Sequence, residues 1–128
     1  MPWTPLFFKL DGKKVFILGS GEVATRRAIR FREAGAKVTI CGDNIQPHLK
    51  KIGIIYKPLE EMEKLIKWAD IIVTASGDPT LNEKAASLAS GKLLNRADKP
   101  QDGNLIVPIT FSTDDVEIAI STHGKSPI

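Results

Sequence analysis

A single cysteine, Cys41, stands among 128 residues. No internal disulfide can form, which fits a reducing cytoplasm and removes the staples of small secreted domains. No apolar run approaches the ~20 residues that a membrane-spanning helix needs. The opening Met1-Pro2-Trp3-Thr4-Pro5 lacks the basic start and small-residue cleavage site of a secretory signal. Histidine is scarce as well, and His48, His123 and Cys41 form no metal-ligand spacing. There is no internal repeat and no low-complexity segment. These absences exclude a disulfide scaffold and a helical membrane protein.

What is there is ordinary in bulk. Apolar residues make up 42% and charged residues 26%, as in a typical globular domain. The length suits one domain. The formal charge of +3 and a pI of 9.1 suit an anionic small-molecule ligand, although most such charge is solvated surface. Nothing in the sequence calls for a nucleic-acid partner.

Strand-like and helix-like segments alternate along the chain. Lys13–Leu18 reads as a strand and Gly21–Ala34 as a helix, with Val23, Ala24, Ala28, Phe31 and Ala34 at helical spacing. Lys37–Cys41 is a second strand. Ile45–Lys51 suits a short helical turn, and Gly53–Tyr56 a third strand. Leu59–Trp68 is helical. Ile71–Ala75 is wholly apolar but for Thr74, as a strand buried on both faces should be. Asp78-Pro79-Thr80 opens a helix over Leu81–Ser90, and Leu93–Asn95 is a fifth strand. Leu105–Phe111 and Val116–Ser121 then form a hairpin around Ser112–Asp115. The expected fold is α/β: a Rossmann-like parallel sheet with helices on both faces, followed by a short β-rich arm. The expected division is 1–106 for the dinucleotide-binding domain and 107–128 for the arm. A lone two-stranded arm is marginal in water, so it should pair with a second copy.

The chemistry-bearing motif is Gly19-Ser20-Gly21-Glu22-Val23-Ala24, a G-x-G-x-x-A between a strand and a helix. The first glycine allows the tight turn, the second lets backbone approach a pyrophosphate, and Ala24 allows close helix–strand packing. The amides of the following helix then face the anion. Strand before and helix after give the motif its weight. Gly19, Ser20, Gly21, Glu22 and Val23 are therefore the candidate cradle. An acid for the ribose hydroxyls should end the second strand. Asp43 is the first acid there, and it reads equally as a turn cap. It leans the expectation toward NAD over NADP. Arg26, Arg27, Arg30 and Arg32 read mainly as the solvated helix face, with Arg26 near enough to reach a phosphate. Thr74, Ala75 and Ser76 end the fourth strand and should border the cofactor. Asp98 follows the fifth strand on the same side, as a turn former or a proton acceptor.

The chain resembles the precorrin-2 dehydrogenase and sirohydrochlorin ferrochelatase family, the N-terminal domain of siroheme synthases. Four segments carry the likeness: Pro5–Val15 leading into Gly19–Arg26; Glu33–Thr39; Thr74–Asp78 with Leu81-Asn82; and Asn95 through Asp98 to Pro108, then Ile118–Pro127. The last contains Ser121-Thr122-His123-Gly124-Lys125-Ser126-Pro127, close to the family's I-S-T-x-G-K-S-P signature. The resemblance implies oxidation of precorrin-2 to sirohydrochlorin with NAD as cofactor. Asn95-Arg96-Ala97-Asp98 matches the family's N-x-x-D pattern, which makes Asp98 the implied catalytic base. Asn95, Ser121, Thr122, Lys125 and Ser126 become implied substrate contacts. His123 stands where the family has a small residue. Family members continue past this ending into a helical domain, so the resemblance also implies a homodimer and a helical domain supplied within the protein or by a separate chain. A bifunctional dehydrogenase and ferrochelatase, and a non-catalytic dinucleotide- or partner-binding short form, are the rival readings.

Overall fold

The computed structural model describes residues 2–123. Five strands form one parallel sheet: β1 (Lys14–Leu18), β2 (Lys37–Cys41), β3 (Ile55–Lys57), β4 (Ile71–Thr74) and β5 (Leu93–Arg96). Their order across the sheet is β3-β2-β1-β4-β5. This is the doubly wound arrangement, in which the chain leaves β1 toward one edge and later crosses to the other. The crossovers are α1 (Glu22–Glu33), α2 (Pro47–Lys51), α3 (Met62–Trp68) and α4 (Pro79–Leu88). Two further strands, β6 (Ile109–Ser112) and β7 (Glu117–Ile120), pair antiparallel as a separate hairpin.

Alternation along the strands splits the core into two layers. Val15, Ile17, Val38, Ile40, Ile71 and Val73 pack on the face covered by Ala28 and Phe31 of α1 and Leu49 of α2. Phe16, Leu18 and Ile72 pack on the other face, against Leu65 and Ile66 of α3 and Ala85 of α4. Both faces are covered, so the central strands are apolar throughout, and burial contributes about 1.5–3 kcal/mol for each large side chain.

Several element boundaries depart from the sequence reading, and three have a clear local cause. The third strand starts at Ile55, because Gly53 (φ +94°) closes α2 and Ile54 donates its amide to the Leu49 carbonyl. The fourth helix starts at Pro79, where Asp78 Oδ1 accepts from the amides of Thr80 and Leu81 as an N-cap. Leu105–Pro108 does not join β6. It runs beside β5 instead, with the Leu105 amide bonded to the Leu94 carbonyl.

Candidate functional site

The carboxyl ends of β1, β2 and β4 meet at the turn after β1. Gly19 takes φ +124°, and a Cβ there would sit 2.4 Å from the Ala75 carbonyl oxygen. Only glycine fits. The Gly19 amide donates to the Cys41 carbonyl at 2.7 Å, and the Ala75 amide to the Leu18 carbonyl at 2.8 Å. Three strand ends are thereby tied to one turn.

Gly21 is the N-cap of α1, and no side chain caps that helix. A Cβ on Gly21 would meet nothing within 4 Å. The space beside Gly21 is open and the first-turn amides are uncapped by any side chain, so an anion can accept from them. A pyrophosphate fits this cradle. Glu22 and Val23 are exposed at its rim, and Ala24 is fully buried beneath it. Ser20 is committed to the protein: its Oγ accepts from the Asn44 amide at 2.9 Å. Asp43 is exposed in that same segment, next to the cradle.

The loop after β4 is held by Asn82, which sits buried on α4. Ser76 donates its hydroxyl to Asn82 Oδ1 at 2.6 Å, and Asn82 Nδ2 donates to the Ser76 carbonyl at 2.9 Å. Ala75 abuts Gly19. Thr74, expected to border the cofactor, is wholly buried and turns its hydroxyl the other way, donating to Asp98 Oδ1 at 2.6 Å.

Asp98 belongs to a charged network on the α4 side of the sheet. Arg96 donates from Nη2 to Asp98 Oδ2 (2.8 Å) and to Glu83 Oε1 (3.1 Å), while Nε reaches Asp98 Oδ1 (3.2 Å) and Thr74 Oγ1 (3.1 Å). Lys99 adds a bond to Glu83 at 2.8 Å. Burial pushes the Asp98 pKa upward, but the bonds from Arg96 and Thr74 and the guanidinium charge outweigh it. The net effect holds Asp98 below the usual carboxylate range. Arg96 is held above its ordinary value, chiefly by its bond to Asp98 and against its burial.

Asn95 faces the opposite side. Its Nδ2 donates to the Leu105 carbonyl at 2.9 Å, and its Oδ1 accepts from Arg27 Nε at 3.3 Å. It lines a cavity of about 550 Å³ between α1 and the foot of the hairpin, together with Ser121 and Thr122. The structure thus brings Asn95, Ser121 and Thr122 together, and Asp98 does not line that cavity. Lys125 and Ser126 lie outside the described residues. Ser121 Oγ accepts from the amide of His123, which has φ +58°, and the His123 carbonyl accepts from Gln101.

Two groups of arginines stand differently from the sequence expectation. Arg27 and Arg30 are half-buried on the cavity wall rather than solvated, and Arg32 is spent on the Ile52 and Ala36 carbonyls. Arg96 figures in the sequence only inside the Asn95-Arg96-Ala97-Asp98 pattern, just past the expected strand Leu93–Asn95, whereas the structure makes it the last residue of β5. Among the described residues, no group of three or more His, Cys, Asp or Glu is placed to hold a metal, and no helix is long and apolar enough to cross a membrane.

A family described as putative NAD(P)-binding matches residues 6–109. The chain belongs to this NAD(P)-binding family. A putative precorrin-2 dehydrogenase of Methanocaldococcus jannaschii is 32% identical, over 97% of this chain and 66% of its own length. A siroheme synthase of Nitrosococcus oceani is 31% identical over the whole of this chain, which spans 29% of that protein. Among solved structures, SirC, precorrin-2 dehydrogenase, superposes with a TM-score of 0.80 at 28% identity, covering 98% of this chain and 64% of SirC. The chain therefore spans less than two thirds of these proteins' lengths, and under a third of the siroheme synthase. Its parallel sheet and terminal hairpin are those of the SirC fold.

Proposed function

We propose that this chain carries out the NAD-dependent dehydrogenation of precorrin-2 to sirohydrochlorin. The observation that carries this reading is the extent of the likeness to SirC. It covers 98% of the chain, so it takes in the β5 edge and the hairpin as well as the dinucleotide fold. A dinucleotide fold alone is shared by many unrelated reactions.

In this reading NAD, when bound, accepts the hydride. Gly19–Val23 hold its pyrophosphate through the open first turn of α1, Asp43 takes the ribose hydroxyls, and Ala75 and Ser76 form the neighbouring wall, with Thr74 buried behind them. Asp98 is the proposed base for the proton that leaves with the hydride; it stands across β5 from the cavity that Asn95 lines. Its pairing with Arg96 keeps it ionised and at the same time lowers its basicity, so the proton is taken as that pair loosens. Asn95, Ser121, Thr122, Lys125 and Ser126 contact the tetrapyrrole. Residues 1–106 form the dinucleotide-binding part and 107–128 the arm. The protein works in the cytoplasm as a dimer. Phe111, Val116 and Ile118 of the hairpin are 57%, 53% and 52% exposed, an apolar surface that a second copy would cover. The helical domain present in longer family members, within the full protein or on a separate chain, completes the substrate cleft.

The test is direct. Purified protein, precorrin-2 and NAD are mixed and NADH is followed. Turnover that falls about 10²–10⁴-fold in Asp98→Ala supports both the reaction and the base. Full turnover in Asp98→Ala removes Asp98 from the mechanism. Tight NAD binding with no NADH formed would leave a dinucleotide-binding module.

A further inference from the structure

The cavity between α1 and the hairpin has a wall of three arginines. Arg26, Arg27 and Arg30 all line it, and Glu33 is the one acid among the described lining residues. Among the described residues none of the three lies within ion-pairing distance of a carboxylate. Arg27 spends Nε on Asn95, and Arg30 spends Nη1 on the Pro108 carbonyl at 3.5 Å. Among the described residues their remaining donors have no partner.

Three like charges within one and a half turns of helix repel each other. Arg27 shows the effect: burial first, then the charges of Arg26 and Arg30, lower its pKa. An arrangement this unfavourable in isolation is relieved by an anion. The rest of the cavity says what kind. Ile29, Ile106, Val107 and Ile120 give it an apolar floor, and Ser121 brings a hydroxyl to the far rim. A flat apolar body with anionic groups on its periphery matches floor and rim together. The volume of about 550 Å³ lies within the usual range for small-molecule sites.

We propose that Arg27 and Arg30, with Arg26 at the rim, bind the peripheral carboxylates of a tetrapyrrole whose ring rests on the apolar floor. This rests on the dehydrogenase reading and adds the residues that select a polycarboxylate substrate. The same guanidinium chemistry would also suit the dinucleotide's phosphates, so the test separates the two sources.

The protein is titrated with uroporphyrin, a polycarboxylic porphyrin, by fluorescence, and separately with NADH. Each titration is repeated for Arg30→Gln, Arg26→Gln and the Arg27→Gln/Arg30→Gln double variant. Arg30→Gln removes only one long contact to backbone, so it keeps the fold. The expected result is about tenfold weaker uroporphyrin binding in Arg30→Gln and more in the double variant, with NADH binding changed less than about twofold. The KM for precorrin-2 rises while kcat holds. Unchanged uroporphyrin affinity in Arg30→Gln and the double variant overturns the proposal. So does a matching loss of NADH affinity, which would assign the arginines to the cofactor. If uroporphyrin binding behaves as expected but precorrin-2 yields no NADH, the carboxylate site stands and the reaction falls. If NADH forms with unaltered KM in every variant, the reaction stands and the site falls.

Discussion

Arg96 grips Asp98 with two nitrogens, Nη2 at 2.8 Å from Oδ2 and Nε at 3.2 Å from Oδ1. The two residues are separated by a single alanine, Ala97, at the exit of β5. The Arg96 side chain is 4% exposed and that of Asp98 19%. Such a pair is tight because one partner is almost fully withdrawn from water and its charge must be answered locally.

Breaking this pair from the arginine side should be costly. Arg96→Met leaves the Asp98 carboxylate partly buried without its guanidinium and should lower stability by about 2–4 kcal/mol. Urea unfolding measures this. The pH dependence follows from the direction of the shift. Asp98 is depressed in the folded state, so its contribution is fully present above the ordinary aspartate pKa of about 3.9 and is lost as pH falls through the folded value. Asp98→Asn should therefore be less stable than the parent at neutral pH, and the gap should narrow on acidification. Thermal unfolding across pH checks it.

The two glycines of the phosphate turn should behave differently. Gly19→Ala forces a Cβ to within 2.4 Å of the Ala75 carbonyl at φ +124° and should cost about 3 kcal/mol or more. Gly21→Ala meets open space at an ordinary φ of −78°, so the fold should be unaffected. Its added methyl would stand where the pyrophosphate approaches, and NAD binding should weaken about tenfold or more. Calorimetric titration with NAD alongside thermal unfolding separates the two effects.

Lys92 should matter more than a half-exposed lysine usually does. Its Nζ donates to the carbonyls of Ile66, Lys67 and Ala69 at 2.6–2.7 Å, capping the last turn of α3. Lys92→Met should lower stability by about 1–3 kcal/mol, read by urea unfolding, and leave NAD affinity unchanged.

Cys41 should be inert in the native protein. Burial first, then the charges of Glu61 and Glu60, raise its pKa to about 11, so the thiol stays protonated at neutral pH. An aromatic disulfide reagent should react slowly with the folded protein and quickly once urea unfolds it.

The sheet was readable because its strands carry apolar runs and its turns carry glycine. The phosphate turn was readable because the spacing of Gly19, Gly21 and Ala24 reports a backbone need. Leu105–Pro108 misled because an apolar run looks the same whether it pairs as a strand or packs against one. Asn95 fixes the outcome by clamping the Leu105 carbonyl, and Pro108 has no amide to donate. The arginine wall was hidden for a different reason. Arg30 meets Pro108 across 78 residues, and only the folded hairpin turns an exposed helix face into a cavity. The Thr74–Asp98–Arg96 network depends on the register that sets Thr74 beside Arg96, and no local pattern states a register.

The contact between Ser20 and Gly42 bears on how cofactor preference could be altered. A Cβ on Gly42 would lie 2.5 Å from the Ser20 side chain, whose oxygen also holds the Asn44 amide. The turn proposed to hold the pyrophosphate and the segment proposed to meet the ribose are therefore packed against each other. Any side chain introduced at position 42 to greet a 2′-phosphate would dislodge the turn proposed to hold the pyrophosphate. Redesign toward the phosphorylated dinucleotide has its freedom at Asp43, one residue further along, where the side chain points to solvent and the turn is left in place.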